Sequence, residues 1–331
     1  MAPTARRMSR WLFASIVALI PVAAYCAEDS VPEERLVQSV QHGIYTFNVH
    51  RTEYSALNVV SRLEVLKNGV VLPFSDWVDW YDSPLEDNEI SVFHLGQDVT
   101  GNGVPDVVVR RTTVGNRQYH GYYVFELGSK LRHVDGVYTG NALAEFVDLD
   151  GKPGLEVETV DDVFKYYWKG DQGTFRPPRV VLRFKDGKYQ IAPDLMRMPR
   201  RDLKNPELFA IGVDDINVRR PKQRPIPKDP TPEELAAFAL EVRDSPVWRQ
   251  DHRPIPRELT HVMWNLIYVG AAERAVQFFH SAWPDWREGK DEFFREFYQC
   301  QLRVSDYWPA IAEMNGLPAE KPVGDCPGLY D

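Results

Sequence analysis

Short stretches rich in Val, Tyr and Phe alternate with Gly, Asn and Asp turns from about residue 43 to residue 192. Such residues favour strands, and the dipeptides Asn68-Gly69 and Asp186-Gly187, each with apolar residues within two positions on either side, are typical of hairpin turns. The clearest apolar stretches cover residues 45–49, 59–66, 107–111, 119–127 and 180–184. This half is predicted to be antiparallel β-structure, either a sheet or a sandwich.

The pattern changes to a helical one at Thr231. Thr231 is followed by Pro232 and, three positions on, by Glu234, which is the sequence of a capping box at a helix start. The apolar residues that follow lie on one helical face: Leu235, Phe238, Ala239 and Val242. Further helical patterns cover 256–269, 271–282, 290–303 and 305–314. We predict a small α-helical domain.

These patterns divide the chain into four segments. We predict a signal peptide at 1–24, a β-rich domain at 25–196, a linker rich in proline and basic residues at 197–230, and the helical domain at 231–331. The expected fold class is α+β.

The first segment has the composition of an export signal. Arg6, Arg7 and Arg10 precede an apolar or small stretch at Trp11–Ala24, with no acidic residue among them. Crossing a bilayer takes roughly 18 or more apolar residues, so this stretch is too short to be a membrane span. We therefore expect cleavage, a periplasmic or secreted protein, and no transmembrane segment in the mature chain.

Two cleavage points are open. Val22-Ala23-Ala24 offers small residues at both recognition positions, and Ala24-Tyr25-Cys26 offers an alternative two residues later. Cys26 is then removed, kept as a free thiol, or lipidated, although the bulky Tyr25 before it disfavours lipidation.

The charge of the chain bears on its partners, and its cysteines bear on disulfide bonding. The formal net charge is −9, and loss of three arginines with the signal lowers it to about −12, so nucleic acid is not an expected partner. Outside the cytoplasm, Cys300 and Cys326 form the natural disulfide pair, with two unpaired thiols as the alternative.

The most informative string follows Gln97 and ends in an apolar strand, Val107-Val108-Val109. Calcium prefers six to eight oxygen ligands, which a tight loop presents from alternate positions. Oxygen-bearing groups stand at positions one, three, five, seven and nine: Asp98, Thr100, Asn102, the carbonyl of Val104, and Asp106. Gly103, at position six, permits the left-handed backbone that such loops need.

This D-x-T-G-N-G-x-P-D string is not an EF-hand, because position twelve holds Val109 where the EF-hand needs Glu. Over about fifteen residues it resembles the calcium loops of FG-GAP and VCBS-type repeats. The resemblance implies that the side chains of Asp98, Thr100, Asn102 and Asp106 hold a structural calcium ion. With two formal charges the site is expected to be weaker than an acidic version. The alternative is an Asx-type turn without metal.

A second string, Phe146 to Val157, is similar to the first. Asp148, Asp150 and Glu156 match positions one, three and nine, but Lys152 puts an ammonium at position five, which favours a plain turn over a metal site. Two such loops indicate a repeated strand–loop–strand unit. In the resembled family these loops often decorate β-propeller blades, but this strand region is too short for a propeller.

No Ser elbow, phosphate loop or dinucleotide motif is present in the sequence. We therefore expect a non-enzymatic, calcium-braced binding or envelope-associated protein, with an unknown protein or glycan as partner. The alternative is an exported carboxylate-dependent hydrolase of polysaccharide-like polymers, using Asp161-Asp162 or Asp214-Asp215. The aromatic and acidic stretch Phe74 to Asp82 would suit sugars or, more simply, a packed sheet edge. A third alternative is an assembly protein that docks through its helical half.

Overall fold

The computed structural model describes residues 32–55, 58–73, 86–87, 89–113, 119–166, 177–197, 230–250 and 255–320, with the backbone alone at 86, 87, 165 and 166. Several predicted features lie outside these residues: the signal peptide with Cys26, the stretch Phe74 to Asp82, nearly all of the 197–230 linker with Asp214-Asp215, and Cys326. The pairing of Cys300 with Cys326 therefore stays a prediction.

Within the described ranges, the β-structure consists of three antiparallel sheets. The strands are β1 Glu34–His42, β2 Tyr45–Ser55, β3 Asn58–Lys67, β4 Val70–Val71, β5 Glu86–Asp87, β6 Glu89–Gln97, β7 Asp106–Thr113, β8 Tyr119–Leu127, β9 Leu131–Gly140, β10 Glu145–Val147, β11 Glu156–Val160, β12 Arg179–Lys185 and β13 Lys188–Ile191. The first sheet has the order β1-β2-β3-β4, with β5 also paired to β3; the second is β6-β7-β8-β9, and the third β10-β11-β12-β13.

The helices are mostly C-terminal, which confirms the predicted α+β class. They are α1 Pro193–Met196, α2 Pro232–Arg243, α3 Arg257–Tyr268, α4 Ala272–Ala282, α5 Lys290–Glu296 and α6 Trp308–Asn315. A π-helical turn at Phe297–Gln301 continues α5. In the described part of the chain, no helix combines the length and the apolar character that crossing a bilayer requires.

Local sequence signals produce several of these boundaries as predicted. The Thr231 hydroxyl accepts a hydrogen bond from the Glu234 amide at 3.2 Å, and the Glu234 carboxylate accepts one from the Thr231 amide at 2.8 Å, so the capping box is confirmed. Asn68-Gly69 and Asp186-Gly187 join β3 to β4 and β12 to β13, and all four residues have positive φ, as a tight hairpin turn requires.

The second sheet is covered on both faces, which explains the unbroken apolar run Val107-Val108-Val109 in β7. Val107 and Val109 belong to a core shared with the first sheet, while Val108, between them, belongs to a core shared with the third sheet. A strand buried on both faces needs apolar residues at every position instead of alternate ones.

The core beneath the third sheet continues into the helices. Every residue of β11 is buried, and Phe164, just after this strand, packs against Trp264 of α3 with 4.8 Å between ring centroids. Beyond Pro32 the described residues form one compact unit. The strand-rich and helical regions therefore share a hydrophobic core, which places the loops of the second and third sheets in one packed body.

Candidate metal site

The predicted calcium loop connects β6 to β7, at one end of the second sheet. Gly101 and Gly103 have φ values of +77° and +83°, in the region that favours glycine. Asp106 is the first residue of β7 and is fully buried, whereas Asn102 at the loop tip is exposed. The fold therefore brings the predicted oxygen-bearing residues into a single turn.

The acidic and amide side chains of this loop accept hydrogen bonds from six consecutive backbone amides. Asp106 Oδ2 accepts from the amides of residues 99 and 100, at 2.9 and 2.8 Å. Asp98 Oδ1 accepts from those of 101 and 102, and Asp98 Oδ2 from that of 103. Asn102 Oδ1 accepts from the amide of 104, and Pro105 has no N–H. Side chains of the loop thus accept hydrogen bonds from the backbone N–H groups of the loop itself.

One oxygen of Asp106 remains without a partner among the described residues. Asp106 Oδ1 is buried and accepts no hydrogen bond there, while Oδ2 accepts three, the third from the Thr100 hydroxyl at 3.0 Å. Burial raises the pKa of Asp106, and the charge of Asp98 adds to the effect. A buried carboxylate oxygen without a donor is costly unless a cation or a proton satisfies it.

The donor set suits a hard cation. Asp98 Oδ2 accepts one hydrogen bond and keeps lone-pair capacity, as do Asn102 Oδ1 and the Thr100 hydroxyl oxygen. Together with the Val104 carbonyl, these are the oxygen types that calcium selects. Within the described residues, neither Asp98 nor Asp106 takes part in an ion pair, so the charge of the loop is not neutralised by a side chain.

The second loop connects β10 to β11. It lies fifty residues after the first loop and repeats the geometry of that loop. Asp148 Oδ1 accepts a hydrogen bond from the amide of Gly151 at 2.6 Å, and Glu156 Oε2 accepts one from Leu149 at 2.9 Å. One oxygen of each of Asp148, Asp150 and Glu156 lies within 4.8 Å of the other two. The predicted strand–loop–strand unit therefore occurs twice, each time between the first two strands of a four-stranded sheet.

Two basic side chains contact the acids of the second loop. Arg183 Nη2 lies 2.6 Å from Asp150 Oδ2, and Arg183 Nε lies 3.2 Å from Glu156 Oε1. The Lys152 ammonium lies 2.7 Å from the same Asp150 oxygen. The hydrogen bond from Lys152, with the charge of Arg183, lowers the pKa of Asp150. Unlike the first loop, this one is bound to cationic side chains of its own chain.

The two loops touch each other through their backbones. The Leu155 amide donates a hydrogen bond to the Val99 carbonyl at 2.8 Å. Gly101 packs so closely on the other loop that an added Cβ would lie 2.5 Å from the Pro153 carbonyl oxygen. The first loop therefore packs directly against the loop of the third sheet.

Sequence reasoning missed two residues around the first loop, in addition to Arg183 at the second. Glu126 on β8 is the register partner of Asp106, and its Oε1 accepts a hydrogen bond from the Asn102 side-chain amide at 2.8 Å. Tyr189 of β13 has a buried hydroxyl, and burial, followed by the charges of Asp106 and other acids, raises its pKa. Their positions depend on strand register, which no local motif encodes.

The predicted acid pair Asp161-Asp162 has a different setting. Asp161 is buried and accepts hydrogen bonds from the hydroxyls of Tyr268 and Ser305, while Asp162 accepts one from the Asn141 amide at 2.8 Å. Burial raises the pKa of Asp161 to about 6. Each acid is held by a different segment, and Asp161 has no exposed face for a polymer substrate. This cluster fastens the end of β11 to the helices.

Comparison of the chain with protein-family models, with curated proteins and with solved structures gave no match.

Proposed function

We propose that this chain is an exported, non-enzymatic binding or envelope-associated protein whose β region is braced by calcium. The ion binds the loop between β6 and β7 through Asp98, Thr100, Asn102, Asp106 and the Val104 carbonyl. Its role is structural, because the loop joins two strands and packs against the loop of the next sheet.

The observation that carries this proposal is the unpartnered oxygen of Asp106. In a plain turn each buried polar atom is expected to find a hydrogen-bond donor, yet Asp106 Oδ1 has none among the described residues. A cation would satisfy this oxygen and offset the repulsion between Asp98 and Asp106. In the calcium-free alternative this oxygen has no partner among the described residues, and burial raises the pKa of Asp106.

A surface for the partner is offered by two tyrosines at the ends of β8 and β9. The rings of Tyr119 and Tyr138 stack at 6.3 Å, and Tyr138 is 65% exposed. Exposed aromatic rings bind the flat apolar faces of sugars and are enriched in protein interfaces. This pair supports the glycan or protein partner expected from the sequence.

The calcium proposal is tested by thermal unfolding in chelator, in millimolar calcium and in millimolar magnesium. A ligand at one hundred times its Kd stabilises the folded state by about 2.7 kcal/mol, so we expect calcium to raise the midpoint by several degrees. Asp98→Asn should abolish this shift. Asp148→Asn, at the same position of the second loop, is the matched control and should keep it.

An unchanged midpoint of the wild-type protein between chelator and calcium would refute the brace. The partner proposal has a separate test, namely electrophoresis of the protein through native gels that contain soluble polysaccharides. We expect Tyr138→Ala to lose retardation and Tyr54→Ala, an exposed tyrosine of the first sheet, to keep it. Absence of retardation by every polysaccharide would leave a protein as the partner class.

A further inference from the structure

The two loops differ in the residue that faces position nine from the neighbouring strand. Asp106 pairs in register with Glu126 of β8. In the third sheet Val157 pairs with Leu182, so that Glu156 and Arg183 are the corresponding neighbours, and their side chains are 3.2 Å apart. The same place in two similar units therefore holds an anion in one and a guanidinium in the other.

The guanidinium of Arg183 lies against the acidic side chains of the second loop. Its Nη2 contacts Asp150, at position three, and its Nε contacts Glu156, at position nine. Arg183 Nη2 also lies 3.1 Å from Asp194. Asp150 and Glu156 are two of the three acids whose oxygens converge within 4.8 Å. A divalent cation at that point would have to share these oxygens with Arg183, against strong repulsion.

We infer that Arg183, assisted by Lys152, takes the place of a metal ion in the second loop, so that this loop carries its own cation. The bound guanidinium holds positions three and nine together, as calcium would in an acidic loop. The side chains of Asp150 and Glu156 are exposed by 7% or less, so both carboxylates are largely shielded from solvent, while Arg183 is 29% exposed. The matching place in the first loop holds Glu126, and the statement that an external ion serves that loop rests on the proposed function.

The inference predicts that removing the internal cations creates a calcium site. In the double variant Lys152→Asn with Arg183→Gln, position five acquires the Asn found in the first loop and the guanidinium is lost. Equilibrium dialysis against calcium should then give one more bound ion per chain than for the wild-type protein. Lys152→Asn alone keeps Arg183 and is the control, for which no additional ion is expected.

A folded double variant that binds the same number of calcium ions as the wild-type protein would overturn the inference. If the double variant is unfolded in chelator, circular dichroism decides: refolding in calcium but not in magnesium supports the inference, and failure to refold in calcium overturns it. The two proposals fail separately. A wild-type protein that binds no calcium refutes the first-loop site, while the gain of one ion in the double variant is measured independently of it.

Discussion

The Cβ that a side chain at Gly101 would add lies 2.5 Å from the carbonyl oxygen of Pro153, closer than nonbonded atoms approach. Because Pro153 belongs to the loop of the third sheet, this is a close backbone approach between the two repeated units. The backbone of Gly154 approaches from the same side, with its own added Cβ 3.2 Å from the Gly101 Cα. Only residues without a side chain allow the two loops to dock in this way.

Gly101→Ala is therefore expected to destabilise the protein more than Gly103→Ala. Both glycines have positive φ, which costs alanine about 1–2 kcal/mol. Gly103 has open space around it, so no further cost arises there. At Gly101 the clash adds roughly 1–3 kcal/mol. Urea unfolding of the two variants measures the difference, and equal free energies of unfolding would show that the loops are not in close contact.

The sequence predicted those features that depend on neighbouring residues. The capping box at Thr231, the hairpin turns and the position of the loop at Asp98 follow from patterns within a few residues. The separation of the strands into three sheets was not predicted. The run Val107-Val108-Val109 indicated a strand, but its burial on both faces depends on the sheets that cover it.

The contacts that the sequence did not predict join residues distant along the chain. Tyr268 donates to Asp161 across 107 positions, and Arg183 reaches Asp150 across 33. Such contacts arise from the packing of sheets and helices and leave no periodicity. This is why Lys152 alone signalled the unusual charge of the second loop, while Arg183 was not recognised.

The shared core predicts that strands and helices unfold together. Phe164→Ala removes a buried ring that packs on Trp264, and we expect a loss of about 3–5 kcal/mol. Phe125→Ala, in the core between the first two sheets, is the comparison. In each variant, tryptophan fluorescence and far-ultraviolet circular dichroism should give the same midpoint. Two separated transitions would instead indicate that the halves fold independently.

The edge of β6 is closed by a side chain, which gives another prediction. Gln38 donates through Nε2 to the Val92 carbonyl at 2.8 Å and accepts from the Val92 amide at 3.1 Å, so it replaces a strand partner. Gln38→Met leaves both backbone groups without this partner and should cost about 1–3 kcal/mol. Gln41→Met, on the same strand, is the control. A free energy of unfolding equal to that of the control would contradict the role of Gln38 at this edge.

The buried cluster around Asp161 predicts a pH dependence of stability. Burial raises the pKa of Asp161 from 3.8 to about 6. Between these pH values the folded state binds a proton that the unfolded state has released, so the stability contributed by this group falls as the pH rises from about 4 to 6. A shift of this size corresponds to about 3 kcal/mol.

Among the groups around Asp161, the Asp161 carboxyl is the one that we expect to titrate between about pH 4 and pH 6. Tyr268 of α3 and Ser305 donate to it, and the pKa of Tyr268 is raised well above 10 by burial and by Asp161. The charge of the adjacent Asp162 raises the pKa of Asp161 further. Near Tyr307, whose pKa is also raised by burial, Asp306 adds a further negative charge. No cation among these neighbours stabilises the ionised form.

Asp161→Asn removes the charge and keeps an oxygen that accepts hydrogen bonds from Tyr268 and Ser305. Relative to the wild-type protein, we expect this variant to gain stability from about pH 4 to pH 6 and little more by pH 7, with a total gain of up to about 3 kcal/mol. Glu288→Gln, at an exposed position, also removes one negative charge and is the control for a general charge effect. Urea unfolding across this pH range makes the measurement. A difference between Asp161→Asn and wild type that does not change with pH would show that Asp161 does not titrate between the two states, because only a change in bound protons produces a slope.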